Sequence, residues 1–214
     1  KSLAGKRIFI TGGTGFFGLW LLSALRALNE QNVAVEVCVL SRHPENFLLR
    51  HPQFCNQSWL TMVSGNVRDF QFPETTFDLM LHAATETSKK AHADPSQLFD
   101  DIVYGTRRVL EMAQQRRISR ILLVSSGAVY GPQPAEITNL PDDSPLACNT
   151  LLPSSAYGEG KHVMELMGAI LQSQSGIETV TARCFAFSGP GLPLDGHFAI
   201  GNFVYDALFN EQIT

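Results

Sequence analysis

Three short segments carry residues able to do chemistry. Tyr157 and Lys161 stand four apart in Tyr157-Gly158-Glu159-Gly160-Lys161, a spacing that puts both on one face of a helix. A phenol with a pKa near ~10 is a poor base at neutral pH, and an ammonium one turn away stabilises the phenolate. The pair is therefore a candidate acid/base with its electrostatic partner. Ser126 ends the apolar run before Gly127-Ala128-Val129-Tyr130-Gly131 and offers a hydroxyl to hold a reacting oxygen. Thr11-Gly12-Gly13-Thr14-Gly15-Phe16-Phe17-Gly18 follows the first apolar run directly, with Gly12, Gly15 and Gly18 spaced as GxxGxxG and Gly13, Gly15 and Gly18 as GxGxxG. Without Cβ atoms, such a loop lets a pyrophosphate approach backbone N–H groups at the positive end of the following helix. The loop reads as a dinucleotide site.

A dinucleotide site needs a group at the end of the second strand to read the adenosine ribose, and an acid there favours NAD by bonding the 2′-hydroxyl. Here the run 35–40 ends in Ser41-Arg42, and Arg42 suits charge-assisted bonds to the 2′-phosphate of NADP. The expected cofactor is NADP or NAD, with Arg42 favouring NADP.

Strand-like apolar runs at 7–11, 33–40, 59–63, 77–81, 120–124 and 178–183 alternate with helical stretches at about 17–29, 94–115 and 156–174. Short runs rich in Ile, Leu, Val or Phe are what buried parallel strands require. The alternation predicts an α/β protein, a doubly wound parallel sheet (Rossmann fold) of strand order 3-2-1-4-5-6. Such sheets bind ligands at the carboxyl ends of their strands, where the glycine loop and Ser126 fall. Pro132, Pro134, Pro141, Pro145 and Pro153 make 131–155 a long loop beside the same edge. A Gly/Pro-rich turn at 188–193 leads into a helical run, 198–209. The expected organisation is a dinucleotide-binding Rossmann domain over 1–184 and the start of a substrate-binding lobe over 185–214.

Composition narrows the function further. The chain has 214 residues, 44% hydrophobic and 17% charged, with a net charge of -4 and no block of like charges. That leaves ample material for a core and no basic patch for nucleic acid or a membrane surface. No apolar run reaches the ~18 residues that cross a bilayer, and the N-terminal residues show no signal-peptide pattern, so the expected location is cytoplasmic. Cys38, Cys55, Cys148 and Cys184 are scattered without a CxxC pair, which predicts reduced thiols and no metal site.

The motifs GGTGFFG, SSGAVYG and YGEGK, in this order and spacing, resemble the extended short-chain dehydrogenase/reductases, specifically the NAD(P)-dependent nucleotide-sugar epimerase/dehydratase family. The resemblance covers essentially the whole chain. It implies that Tyr157 is the acid/base, that Lys161 lowers its pKa and holds the nicotinamide ribose, and that Ser126 bonds the sugar oxygen. Hydride then passes between the same carbon and the nicotinamide C4. It also implies cofactor contacts from Phe16 and Phe17 in the glycine loop, from Asn66 and Val67 in Gly65-Asn66-Val67-Arg68-Asp69, from Ala83, Ala84 and Thr85 after His82, and from Phe185. Asn66 replaces the family's usual aspartate, and Asp69 is the better match. His82 is expected as a packed strand-end residue. The implied partner is a small-molecule nucleotide sugar, and the implied assembly a homodimer.

Several positions depart from the family pattern. The 4,6-dehydratases carry an Asp-Glu pair directly after the catalytic hydroxyl residue, because eliminating water needs a further base and acid. Gly127 and Ala128 occupy those positions and transfer no proton, unless Asp142 or Asp143 substitutes. Ile102 and Ala186 stand where many relatives have asparagines. Extended members run to about 300 residues, so most of the C-terminal lobe is absent and the chain reads as a fragment. The leading reading is a 4-epimerase or 4-ketoreductase using Tyr157, Lys161 and Ser126. A nucleotide-sugar 4,6-dehydratase and a non-catalytic NADP-binding sensor or scaffold are the alternatives.

Overall fold

The computed structural model describes residues 3–194, 199–210 and 212–213. Six parallel strands form one sheet: β1 (Lys6–Thr11), β2 (Val35–Ser41), β3 (Leu60–Ser64), β4 (Leu79–His82), β5 (Arg120–Ser126) and β6 (Glu178–Cys184). Their order is β3-β2-β1-β4-β5-β6, as the alternation predicts. The central strand β1 ends in four buried residues, and Phe9 and Ile10 are fully enclosed. Strand ends shift by one or two residues from expectation. β2 begins at Val35 rather than 33, and β4 runs on through His82.

Helices α1 (Phe16–Glu30), α2 (Pro44–Arg50), α3 (Lys89–His92), α4 (Pro95–Gln115), α5 (Ala156–Ser175) and α6 (Ala199–Phe209) accompany the sheet, with short 3₁₀ turns at Pro52–Phe54, Gly127–Tyr130 and Pro153–Ser155. The sequence periodicity did not mark α2 and α3, which have 7 and 4 residues and are too short to show an apolar stripe. Residue 198, the predicted start of the last helix, lies outside the described residues. Two apolar layers cover the sheet: Phe70, Ile102, Val109 and Met164 pack on one face with α4 and α5, while Leu22, Leu25 and Phe47 pack on the other with α1 and α2. This sandwich holds the carboxyl ends of β1, β4 and β5 side by side. No helix among the described residues is long and apolar enough to cross a membrane.

Candidate active site

A cleft of about 830 Å³ opens along that edge. Its floor at one end is the glycine loop. Gly12 has φ +74, and a Cβ there would stand 2.5 Å from the backbone of Ala83, so the loop lies directly on the segment after β4. Gly15 differs: its nearest neighbour to an added Cβ is Gly12 O at 3.6 Å, so a side chain at this cleft-lining position would occupy the space left for a ligand. Gly15 caps α1 without a side-chain bond, and the first turn of α1 has no acid, so its N–H groups are available to an anion. Gly18 lies off the cleft, packed on Gly12 and Gly13, where it lets helix and loop approach closely. Phe16, Phe17, Arg42, Asn66, Val67, Ala83, Ala84 and Thr85 all line the same space, whereas Asp69 does not. A dinucleotide's pyrophosphate fits this cradle.

At the other end β5 delivers Ser126 and the first turns of α5 deliver Tyr157 and Lys161. Ser126 Oγ accepts the Ala128 N–H at 3.1 Å and lies close enough to the Tyr157 phenol to lower its pKa. Lys161 is only 3% exposed and donates to Thr85 Oγ1 and to the Val124 carbonyl, both at 2.8 Å. Burial pushes the Lys161 ammonium down to about 8. Burial also raises the Tyr157 phenol above its ordinary value, against the Ser126 hydroxyl, which lowers it. This corrects the expected direction for Tyr157. The ammonium sits 5.9 Å from the centre of the tyrosine ring and directs its bonds to Thr85 and Val124, so desolvation prevails over its field.

His82 is fully packed, as expected. Its Nδ1 lies 2.7 Å from Thr11 Oγ1 and its Nε2 3.2 Å from Thr106 Oγ1. Burial, reinforced by the Lys161 charge, lowers it to about 3, so the imidazole stays neutral and orders the loop above it. Thr11 Oγ1 in turn accepts the Ala84 N–H at 3.2 Å.

Gly127 lies under Phe185, whose ring an added Cβ would strike at 2.6 Å and closer. Phe185 is 66% exposed and stacks on Tyr130 at 6.4 Å. Asp142 and Asp143 do not line the cleft, so neither takes the place of the missing dehydratase acids. Asp142 instead gives its carbonyl to Arg183 at 2.7 Å.

Three features escaped the sequence reading. Arg183 forms paired bonds to Glu165, which accepts from Ser125, and also donates to Tyr130 Oη at 2.8 Å. This network ties β5, β6, α5 and the proline-rich loop together behind Ser126. Cys184 lies opposite Ser126 in the β5–β6 register and lines the cleft; burial raises its thiol pKa, keeping it protonated. Glu86 lines the cleft and bonds Arg42. Only the i, i+4 spacing of Lys161 and Glu165 offered a signal in the sequence.

The sequence profile of the NAD dependent epimerase/dehydratase family matches residues 8–208. UDP-glucuronic acid decarboxylase 1 of Xenopus tropicalis is 28% identical over 211 residues, covering 98% of this chain and 48% of the relative. UDP-glucuronic acid decarboxylase 3 of Arabidopsis thaliana is 30% identical over 216 residues, covering 97% of this chain and 58% of the relative. Among solved structures, a UDP-galactose 4-epimerase superposes with TM-score 0.75 at 25% identity, over 95% of this chain and 63% of that one. The dTDP-glucose 4,6-dehydratase DesIV of Streptomyces venezuelae, solved with NAD bound, gives TM-score 0.79 at 26% identity over 94% and 62%. The chain thus spans about half the length of the curated relatives it matches. It belongs to the NAD dependent epimerase/dehydratase family.

Proposed function

We propose that this chain carries the oxidoreductive half of a nucleotide-sugar 4-epimerase or 4-ketoreductase, with NADP or NAD in the cleft. The observation that carries the reading is the convergence of Tyr157 and Ser126 with the buried Lys161 in the same cleft as the glycine loop. The bound nicotinamide supplies the hydride acceptor and donor. Tyr157 exchanges the proton on the C4 oxygen, and the Ser126 hydroxyl favours the phenolate needed to accept it. Ser126 also bonds that oxygen as it becomes a carbonyl. Lys161, held by Thr85 and Val124, presents its charge to the ribose side of the cleft. Arg42 reads the 2′-phosphate and favours NADP. Phe185 covers the nicotinamide end.

Gly127 and Ala128 supply no second acid–base pair, which supports epimerisation or keto reduction over water loss. The same observation favours one second reading, because relatives bear the name UDP-glucuronic acid decarboxylase. A hexuronic acid oxidised at C4 is a β-keto acid. Its C5–C6 bond breaks with the electron pair moving to the C4 oxygen, CO2 leaves, the enolate takes a proton at C5, and the hydride removed at the start returns to C4. The substrate on either reading is a small nucleotide sugar. Tyr104 on α4 and Leu166 and Ile170 on α5, all exposed apolar side chains, support a homodimer, which sedimentation tests.

Product analysis with UDP-, dTDP-, GDP- and CDP-linked hexoses and hexuronic acids separates the readings. Inversion or reduction at C4 is expected, and CO2 from a hexuronic acid would establish the second reading. A 4-keto-6-deoxy product from an unmodified hexose would overturn both.

A further inference from the structure

Arg42 follows β2 and Glu86 follows β4, the two strands on either side of β1. Their side chains meet: Arg42 Nη2 lies 3.0 Å from Glu86 Oε2. Both residues line the cleft that holds the glycine loop, so the ion pair borders the ligand space. Ser88, two residues on, adds polar groups near Glu86 that favour its charged form. Burial raises its carboxyl, but the Arg42 guanidinium, helped by Ser88, outweighs that and holds it below the usual value, so it is charged at neutral pH. The two side chains are 63% and 41% exposed, and a pair so open contributes little to folding. Its placement therefore bears on the ligand more than on stability.

We infer that Glu86 sets the cleft's choice between NADP and NAD by holding Arg42 in a clasp that a 2′-phosphate must open. This rests on the reading of Arg42 as the cation for that phosphate. A ribose hydroxyl, which both donates and accepts, sits beside an intact ion pair without conflict. A dianionic phosphate draws Arg42 away and is left facing the Glu86 carboxylate, so the gain from the guanidinium is reduced by the broken pair and by like-charge repulsion. Glu86 is a positioning residue, acting on cofactor choice through Arg42.

Fluorescence titration of NADPH and NADH against wild type, Arg42→Ala, Glu86→Gln and the double variant tests this. Arg42→Ala should weaken NADPH roughly ten- to a hundredfold and NADH far less. Glu86→Gln should tighten NADPH roughly three- to tenfold and raise the NADPH/NADH affinity ratio. In the Arg42→Ala background that gain should shrink, since no guanidinium remains to be released. If Arg42→Ala lowers the ratio but Glu86→Gln leaves it in place, the clasp is wrong and the Arg42 reading stands. Equal losses for both cofactors in Arg42→Ala would overturn the Arg42 reading and the clasp with it. Weaker NADH binding by Glu86→Gln would make Glu86 a ribose ligand and overturn the clasp.

Discussion

Lys161 Nζ donates to Thr85 Oγ1 at 2.8 Å, joining the first turns of α5 to the loop that leaves β4. One lysine thereby couples the residues proposed for chemistry to the segment that floors the cofactor cleft. Its burial also makes the coupling sensitive to pH.

Lys161 titrates near 8 in the folded chain, well below the ordinary lysine value of 10.5. If its ammonium holds the ribose, cofactor affinity should be steady below about pH 7 and fall as pH rises through 8 and the charge is lost. Glu165 favours the charged form, while the protonated Cys184 thiol and neutral His82 add no charge through most of this window. Titrating NADPH between pH 6.5 and 9.5 checks the slope, roughly one proton per dinucleotide. Affinity that stays level to pH 9.5 would contradict the role.

Gly15→Val should abolish NADPH binding, by roughly a hundredfold or more, because the added atoms enter space the protein leaves open and block the pyrophosphate. Gly15 has φ -83, so the substitution is not strained, and melting should move by no more than about 5 °C. Gly12→Ala should behave differently, destabilising the fold itself, since φ is +74 and the Ala83 backbone is 2.5 Å from the new Cβ. Tight NADPH binding by a folded Gly15→Val variant would refute the assignment of the loop.

His82 stays neutral in the fold down to about 3, whereas in the unfolded chain it takes a proton near 6.5. Below 6.5 the unfolded state binds the extra proton, so this group lowers stability as pH falls from 6.5 toward 3, by about 1.4 kcal/mol per pH unit. His82→Gln removes that contribution. Its urea-unfolding free energy should be lower than wild type near pH 7, where Thr11 and Thr106 lose a fitted partner, yet vary less with pH between 6.5 and 4.5. Equal pH slopes would show that His82 is not buried neutral.

The sheet order and the glycine loop were legible because each rests on local pattern: apolar runs of strand length, and glycines where backbone approach demands them. Tyr157, Lys161 and Ser126 were legible as candidates for the same reason, since one helical turn and one strand end bring them to a common edge. The direction of the Tyr157 shift was not, because it depends on how deeply the phenol is buried and where Lys161 sends its protons, both set by distant packing. The partners of Arg42 and Arg183 were equally hidden, lying 44 and 18 positions away on other elements. The short α2 could have been found: Pro44 at its start, Glu45 in its first turn and Arg50 in its last are end signals that need no periodicity.

On the proposed mechanism Tyr157 moves the proton during hydride transfer at C4. Single-turnover absorbance at 340 nm, with bound cofactor and the nucleotide sugar identified by product analysis, measures that step directly. Tyr157→Phe removes one oxygen and little volume, so it should slow the step by about 10²–10⁴-fold while NADPH affinity changes less than about threefold. Hydride transfer by Tyr157→Phe at the wild-type rate would contradict the mechanism.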